Sequence, residues 1–160
     1  MTMVAFIERL SKICARLTGI IVVILCVGLV GSLLISIFFR YVVGHALSWP
    51  EEISLILFAW LVLLAGSLGV REGFHVRLTL VTLHLPLPVQ LFLDRTINLA
   101  ICAFGIVLLY SGYDLVQRTA EHLTATLRLS LDWLNFSAPI CGILILLHGL
   151  STFLMSWKEH

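Results

Sequence analysis

The amino-acid sequence predicts an all-α integral membrane protein with four transmembrane helices. Hydrophobic residues make up 60% of its 160 residues, charged residues make up only 12%, and the mean hydropathy is +1.08. Soluble domains carry about 25% charged residues, so too little polar surface is present in this chain to cover a globule in water. Because unpaired backbone groups are costly in lipid, open strands are excluded and the long apolar runs must be helices.

Four segments without Asp, Glu, Lys or Arg qualify as spans, since about 20 apolar residues cross the hydrocarbon core. They are residues 17–39, 53–70, 96–113 and 133–157. The second and third are near the short limit, and helices that continue past the apolar run would complete them. We predict one membrane domain over residues 1–160. Small residues in the first two spans let helices approach closely, namely Gly28, Gly31, Ser32, Gly66, Ser67 and Gly69.

The distribution of Lys and Arg predicts the orientation of the chain, because cytoplasmic loops carry an excess of both. Seven lie on the side that holds the termini, namely Arg9, Lys12, Arg16, Arg71, Arg77, Arg95 and Lys158. Three lie on the other side, namely Arg40, Arg118 and Arg128. We therefore predict that both termini are cytoplasmic. The net charge of +1 gives no basic excess that would indicate a nucleic acid partner.

Two connecting segments are amphipathic. Residues 3–16 place their apolar side chains on one helical stripe and their charges elsewhere, which predicts a short helix on the inner membrane face. Residues 114–132 repeat this pattern. This second segment is predicted either as a helix lying in the outer interface or as a surface docked on a partner protein.

A cluster of charged and aromatic residues lies between the first two spans and in the first half of the second: Arg40, Trp49, Glu51, Glu52 and Trp60. Part of it is explained by anchoring, because Arg and Trp suit the membrane boundary and acidic residues suit the first turn of a helix. Adjacent carboxylates at such a boundary usually find partners, and Arg40 is the candidate within the chain. Since Glu52 and Trp60 share one helical face, we interpret the cluster as a subunit interface.

A second charged cluster follows the second span. Arg71, His75 and Arg77 lie within seven residues at the predicted inner face. Anchoring of the span by positive charge explains them in part. The alternative is a surface that pairs with an acidic partner or with anionic lipid.

The order and spacing of these residues resemble the small permease subunit of tripartite ATP-independent periplasmic (TRAP) transporters. The resemblance rests on Phe39-Arg40-Tyr41, Leu47-Ser48-Trp49-x-Glu51-Glu52, Trp60, Arg71-x-Gly73-x-His75-Val76-Arg77, and Trp133 with Pro139 and Gly142. The motifs between spans one and two cover about 40 residues, and the four-span layout agrees over the whole chain.

The resemblance implies a transport system of three proteins in a bacterial inner membrane. A periplasmic binding protein captures the substrate, typically an organic acid, and a large permease subunit carries the substrate and ion sites. The small subunit is implied to widen the static scaffold against which the large subunit moves. An ion gradient, usually of sodium, is implied as the driving force.

Three other classes of membrane protein fit the sequence less well. A haem carrier needs histidines paired at matching depth, and His148 is the only histidine deep in a predicted span. An intramembrane enzyme needs a nucleophile beside a base, and Ser137 lies about three turns from His148. We therefore predict no cofactor, no metal site and no catalytic residue. A stand-alone channel or exporter would have to form homo-oligomers, and it is the alternative to a transporter subunit.

Overall fold

The computed structural model describes residues 2–72, 87–119 and 121–156 of the chain. It contains five α-helices in this described part, which are α1 (Thr2–Phe38), α2 (Trp49–Arg71), α3 (Leu87–Thr119), α4 (Asp132–Asn135) and α5 (Ser137–Ser156). Four segments are long and apolar enough to cross a membrane, namely Ile7–Val43, Trp49–Arg71, Arg95–Thr119 and Asp132–Thr152. The prediction of an all-α fold with four spans is confirmed.

Helix α1 is longer than the sequence pattern predicted. It runs without a break from Thr2 to Phe38, so the predicted interfacial helix 3–16 and the predicted span 17–39 are one helix. Its 37 residues measure about 55 Å along the axis, well beyond a hydrocarbon core of about 30 Å. The two predicted segments bury the same side of the helix. Ser11 lies in the first and Thr18 in the second, and both are buried, so the helix packs in one rotation across the boundary between residues 16 and 17.

The predicted helix over residues 114–132 is wrong for most of its length. Helix α3 extends only to Thr119, and the chain then forms a loop with an isolated bridge between Leu123 and Ser130. Side-chain hydrogen bonds compete with helix in this segment, since the Leu129 N–H donates to the Thr124 hydroxyl at 3.0 Å. The apolar residues after Thr119 recur at a helical period, but they do not form a helix.

Helix α5 is the central helix of the bundle, because α1, α2 and α3 all pack against it. Its closest neighbour is α3, and glycines make that approach possible. A Cβ atom added to Gly142 would lie 2.8 Å from the Leu109 nitrogen, and one added to Gly112 would lie 2.8 Å from the Pro139 nitrogen. The backbones of α3 and α5 therefore meet at these glycines.

Helices α1 and α2 pack beside each other through hydroxyl groups near the end of α1. The hydroxyls of Ser32 and Ser54 lie 2.9 and 2.7 Å from the Pro50 carbonyl oxygen. All three residues are buried. The carbonyl at the start of α2 thus has partners on both helices, and these buried hydrogen bonds fix the pairing of α1 with α2.

Candidate functional site

Arg40 and Glu51 form an exposed ion pair where α1 gives way to α2. Arg40 lies in a π-helical turn, Phe39–Val43, that ends at Gly44 in the left-handed conformation. Its Nη2 atom donates to Glu51 Oε1 at 2.7 Å, and both side chains are more than half exposed. The pair closes the α1–α2 hairpin and leaves both charged groups accessible to another molecule.

Glu52 contacts a different part of the chain from its neighbour. Its two carboxylate oxygens accept the backbone N–H groups of Thr126 and Leu127 at 2.6 and 2.9 Å. A carboxylate that accepts two N–H groups makes charge-assisted bonds, which are stronger than neutral ones. Arg40 therefore pairs with Glu51, while Glu52 holds the loop between α3 and α4 over the start of α2.

Trp60 also has its partner within the chain. The indole Nε1–H donates to the Trp133 carbonyl oxygen at 2.7 Å, which ties the middle of α2 to α4. The α2 face that carries Glu52 and Trp60 is thus covered by the chain's own loop and by α4. Trp49 begins α2 as a half-buried residue.

A cleft of about 290 Å³ opens between α2 and the loop that Glu52 holds. Glu51, Glu52 and Thr126 contribute polar groups to its lining, and Leu55 and Leu131 contribute apolar ones. The cleft widens the accessible surface around the Arg40–Glu51 pair. Its lining combines the carboxylates of Glu51 and Glu52 with apolar side chains.

A buried polar junction at the opposite end of the bundle joins three helices. Arg71 Nη1 donates to the Ser11 carbonyl oxygen at 2.9 Å, and the Ser11 hydroxyl lies 2.8 Å from His148 Nδ1. Ser11 and His148 are 1% and 0% exposed. Arg71 is thereby confined to the bundle, while His75 and Arg77, the other members of the predicted inner cluster, lie outside the described residues.

Sequence reasoning missed Ser11, and it considered His148 only as a haem ligand or as the base of an intramembrane enzyme. The one available signal was that His148 is the lone histidine of the last predicted span, where a polar side chain needs a partner. Among the described residues, no group of three or more His, Cys, Asp or Glu could hold a metal ion. What the described polar groups do is join helices and hold a loop.

Comparison with known proteins identifies the family. The model of the family described as "Tripartite ATP-independent periplasmic transporters, DctQ component" matches residues 29–159. The sialic acid TRAP transporter small permease protein SiaQ of Vibrio cholerae is 27% identical over 144 residues, which cover 90% of this chain and 83% of that protein.

A second relative is larger. The sialic acid TRAP transporter permease protein SiaT of Haemophilus influenzae is 22% identical over 134 residues, which cover 84% of this chain but only 22% of that protein. The chain therefore belongs to the DctQ component family of TRAP transporters, and it is the small, multi-pass membrane subunit of such a transporter.

Proposed function

We propose that the chain is a static scaffold for the large permease subunit, and that the complex takes up an organic acid delivered by a periplasmic binding protein. An ion gradient drives the uptake, and the complex lies in the inner membrane with both termini of this chain in the cytoplasm. The role is structural rather than catalytic. The two relatives are named for sialic acid, so an acidic sugar is the first substrate class to test.

One observation carries the proposal. Glu51 and Arg71 stand 20 residues apart in the unbroken helix α2, which places them about 30 Å apart and thus at the two faces of the hydrocarbon core. Residues 53–70 between them contain no charged side chain. Substrate and ion sites of transporters are typically built from broken helices near the middle of the membrane. An unbroken helix with polar contacts at its ends instead favours a scaffolding role.

We further propose that the predicted interface cluster, which is Arg40, Trp49, Glu51, Glu52 and Trp60, contributes to the contact with the large subunit in two ways. Arg40 and Glu51 are exposed and contact the large subunit directly, with Trp49 beside them. Glu52 and Trp60 act indirectly, since each holds the chain's own loop or α4 in place. At the other face, His75 and Arg77 of the predicted cluster are proposed to meet acidic groups or lipid, while Arg71 bonds to Ser11 within the bundle.

Affinity purification of the tagged chain from native membranes tests this function. The expected result is a stoichiometric membrane partner of more than ten spans, identified by mass, because the family acts with a large permease. A chain that purifies alone or only with itself would contradict the proposal and favour a homo-oligomeric channel.

A charge reversal tests the interface within the same experiment. Glu51→Arg should reduce recovery of the large subunit, because it places two cations side by side at the proposed contact. Arg118→Glu is the matched control, since Arg118 forms a comparably exposed pair with Asp114 at 2.8 Å. Equal loss of the partner in both variants, or in neither, would remove Glu51 from the interface.

A further inference from the structure

We propose that the N-terminal part of α1 carries a binding site for the phosphate group of an anionic phospholipid, formed by Arg9, Lys12 and Arg16. The three residues lie on the exposed side of the helix within two turns. This site is separate from the subunit interface proposed above, and it depends on neither Glu51 nor the large permease.

The bundle fixes which side of α1 faces outward. Ser11 and Thr18 are 1% and 5% exposed, so their side of the helix faces α2 and α5. Arg9 and Arg16 lie roughly half a turn from that side, because successive residues advance by about 100°. The bond between Ser11 and His148 holds the helix in this rotation. The two arginines are therefore directed away from the bundle and toward lipid.

The depth of Arg9 and Arg16 in the membrane follows from the buried polar junction of Arg71, Ser11 and His148. Arg71 ends α2 and bonds to the backbone of Ser11, so Ser11 lies near the edge of the hydrocarbon core. Arg16 is five residues farther along α1, about 7.5 Å deeper in the core. A guanidinium is costly at that depth without a partner. Because helical side chains tilt toward the N-terminus, that of Arg16 reaches back toward the level of Arg9.

The charges on this side of α1 leave a positive excess. Lys12 forms an ion pair with Glu8, one turn away on the same helix. Within the part of the chain that the structure describes, Arg9 and Arg16 form no ion pair. A phosphate group satisfies two guanidinium groups well, because its oxygens accept the paired N–H donors of arginine.

The surface between the arginines favours a lipid over an acidic protein segment. Ile13, Leu17 and Ile20 are 58%, 56% and 60% exposed on the same side of the helix. Ile13 lies between the two arginines, and the other two lie farther along the helix. They continue into the apolar surface of α1 that faces the hydrocarbon core. A ligand with a phosphate head and acyl chains matches both parts of this surface.

Native mass spectrometry of the full chain, purified with its large permease, tests the site. The complex is titrated with phosphatidylglycerol and, separately, with zwitterionic phosphatidylcholine. Phosphatidylglycerol should bind more tightly, and the variant R9Q/R16Q should bind it about 30-fold more weakly, since each cation near a membrane surface contributes about a fivefold factor. The variant R9K/R16K, which keeps the charge but loses the paired N–H donors, should bind it more weakly than the unchanged chain and more tightly than R9Q/R16Q.

Arg118→Gln is the matched control, because it removes an exposed cation near the other end of the bundle, and it should leave binding unchanged. Equal binding of both lipids, unchanged binding by R9Q/R16Q, or an equal loss in Arg118→Gln would overturn the proposal. So would displacement of phosphatidylglycerol by an equal concentration of inorganic phosphate, since the acyl chains would then contribute nothing. Loss of the large permease from R9Q/R16Q, with lipid binding retained, would assign the arginines to a protein contact instead.

Discussion

Replacement of Gly142 by alanine should weaken the packing of α3 against α5. The added Cβ atom would lie 2.8 Å from the Leu109 nitrogen, 2.9 Å from the Gly105 carbonyl oxygen and 3.0 Å from the Leu109 Cα atom. All three are backbone atoms, so no side chain can rotate out of the way. The two helices themselves must move apart.

The size of the effect follows from these distances. Non-bonded carbon contacts are optimal near 3.5–4.0 Å, so the backbones must separate locally by about 0.7 Å or more. Overpacking of this kind costs about 1–3 kcal/mol. Alanine has a higher helix propensity than glycine by about 1 kcal/mol, which offsets part of this cost. A variant that gains the propensity without the clash is therefore the proper reference.

Gly31→Ala provides that reference, because a Cβ atom at Gly31 meets no atom within 4 Å. Unfolding of each purified variant in mixed micelles, followed by circular dichroism as the SDS fraction rises, gives the two free energies of unfolding. Gly142→Ala should be less stable than Gly31→Ala by about 1–3 kcal/mol. Equal stability of the two variants would refute a close backbone contact between α3 and α5 at Gly142.

Two further predictions concern the polar contacts at the ends of the bundle. Glu52→Gln should speed hydrogen exchange at the backbone amides of Thr126 and Leu127, because its carboxylate accepts both N–H groups. Glu51→Gln should leave exchange at these amides unchanged. Equal exchange in the two variants would contradict the role assigned to Glu52. The double variant Ser11→Ala, His148→Leu should lose less stability than the sum of its single variants, by about 0.6 kcal/mol, as measured by the same SDS titration. Strict additivity would show that this buried pair is not coupled.

The sequence was sufficient for the spans because hydrophobicity and length alone decide whether a helix can cross a bilayer. It was not sufficient for the connections. The segment after α3 has a helical period, yet Glu52, which is more than seventy residues earlier, holds its backbone in a loop. A long-range carboxylate of this kind cannot be deduced from the local pattern.

The helix contacts show a similar limit. Of the glycines predicted to allow close approach, Gly31, Gly66 and Gly69 would meet no atom within 4 Å if a Cβ were added. The close contacts instead involve Gly112 and Gly142, in the last two spans. Composition cannot distinguish these groups, because it does not say which face of a helix meets another helix.

The predicted charged cluster was brought together only in part. The structure joins Arg40 to Glu51 as neighbours across the α1–α2 hairpin, but it separates Glu52 from them by providing it with loop partners. Adjacent residues on a helix point about 100° apart, so two neighbouring carboxylates seldom serve the same contact. The sequence showed that these charges lie near one another. Only the folded structure showed that Glu51 pairs with Arg40 while Glu52 binds the loop.

The central position of α5 has a consequence for how the protein is made. The helix that α1, α2 and α3 all contact is the last of these four spans to be synthesised. Until it enters the bilayer, Ser11 lacks its histidine partner and the glycine face of α3 has nothing to pack against. The α1–α2 hairpin can form before then through its own hydrogen bonds, but α3 can take its place in the bundle only once α5 has entered the bilayer.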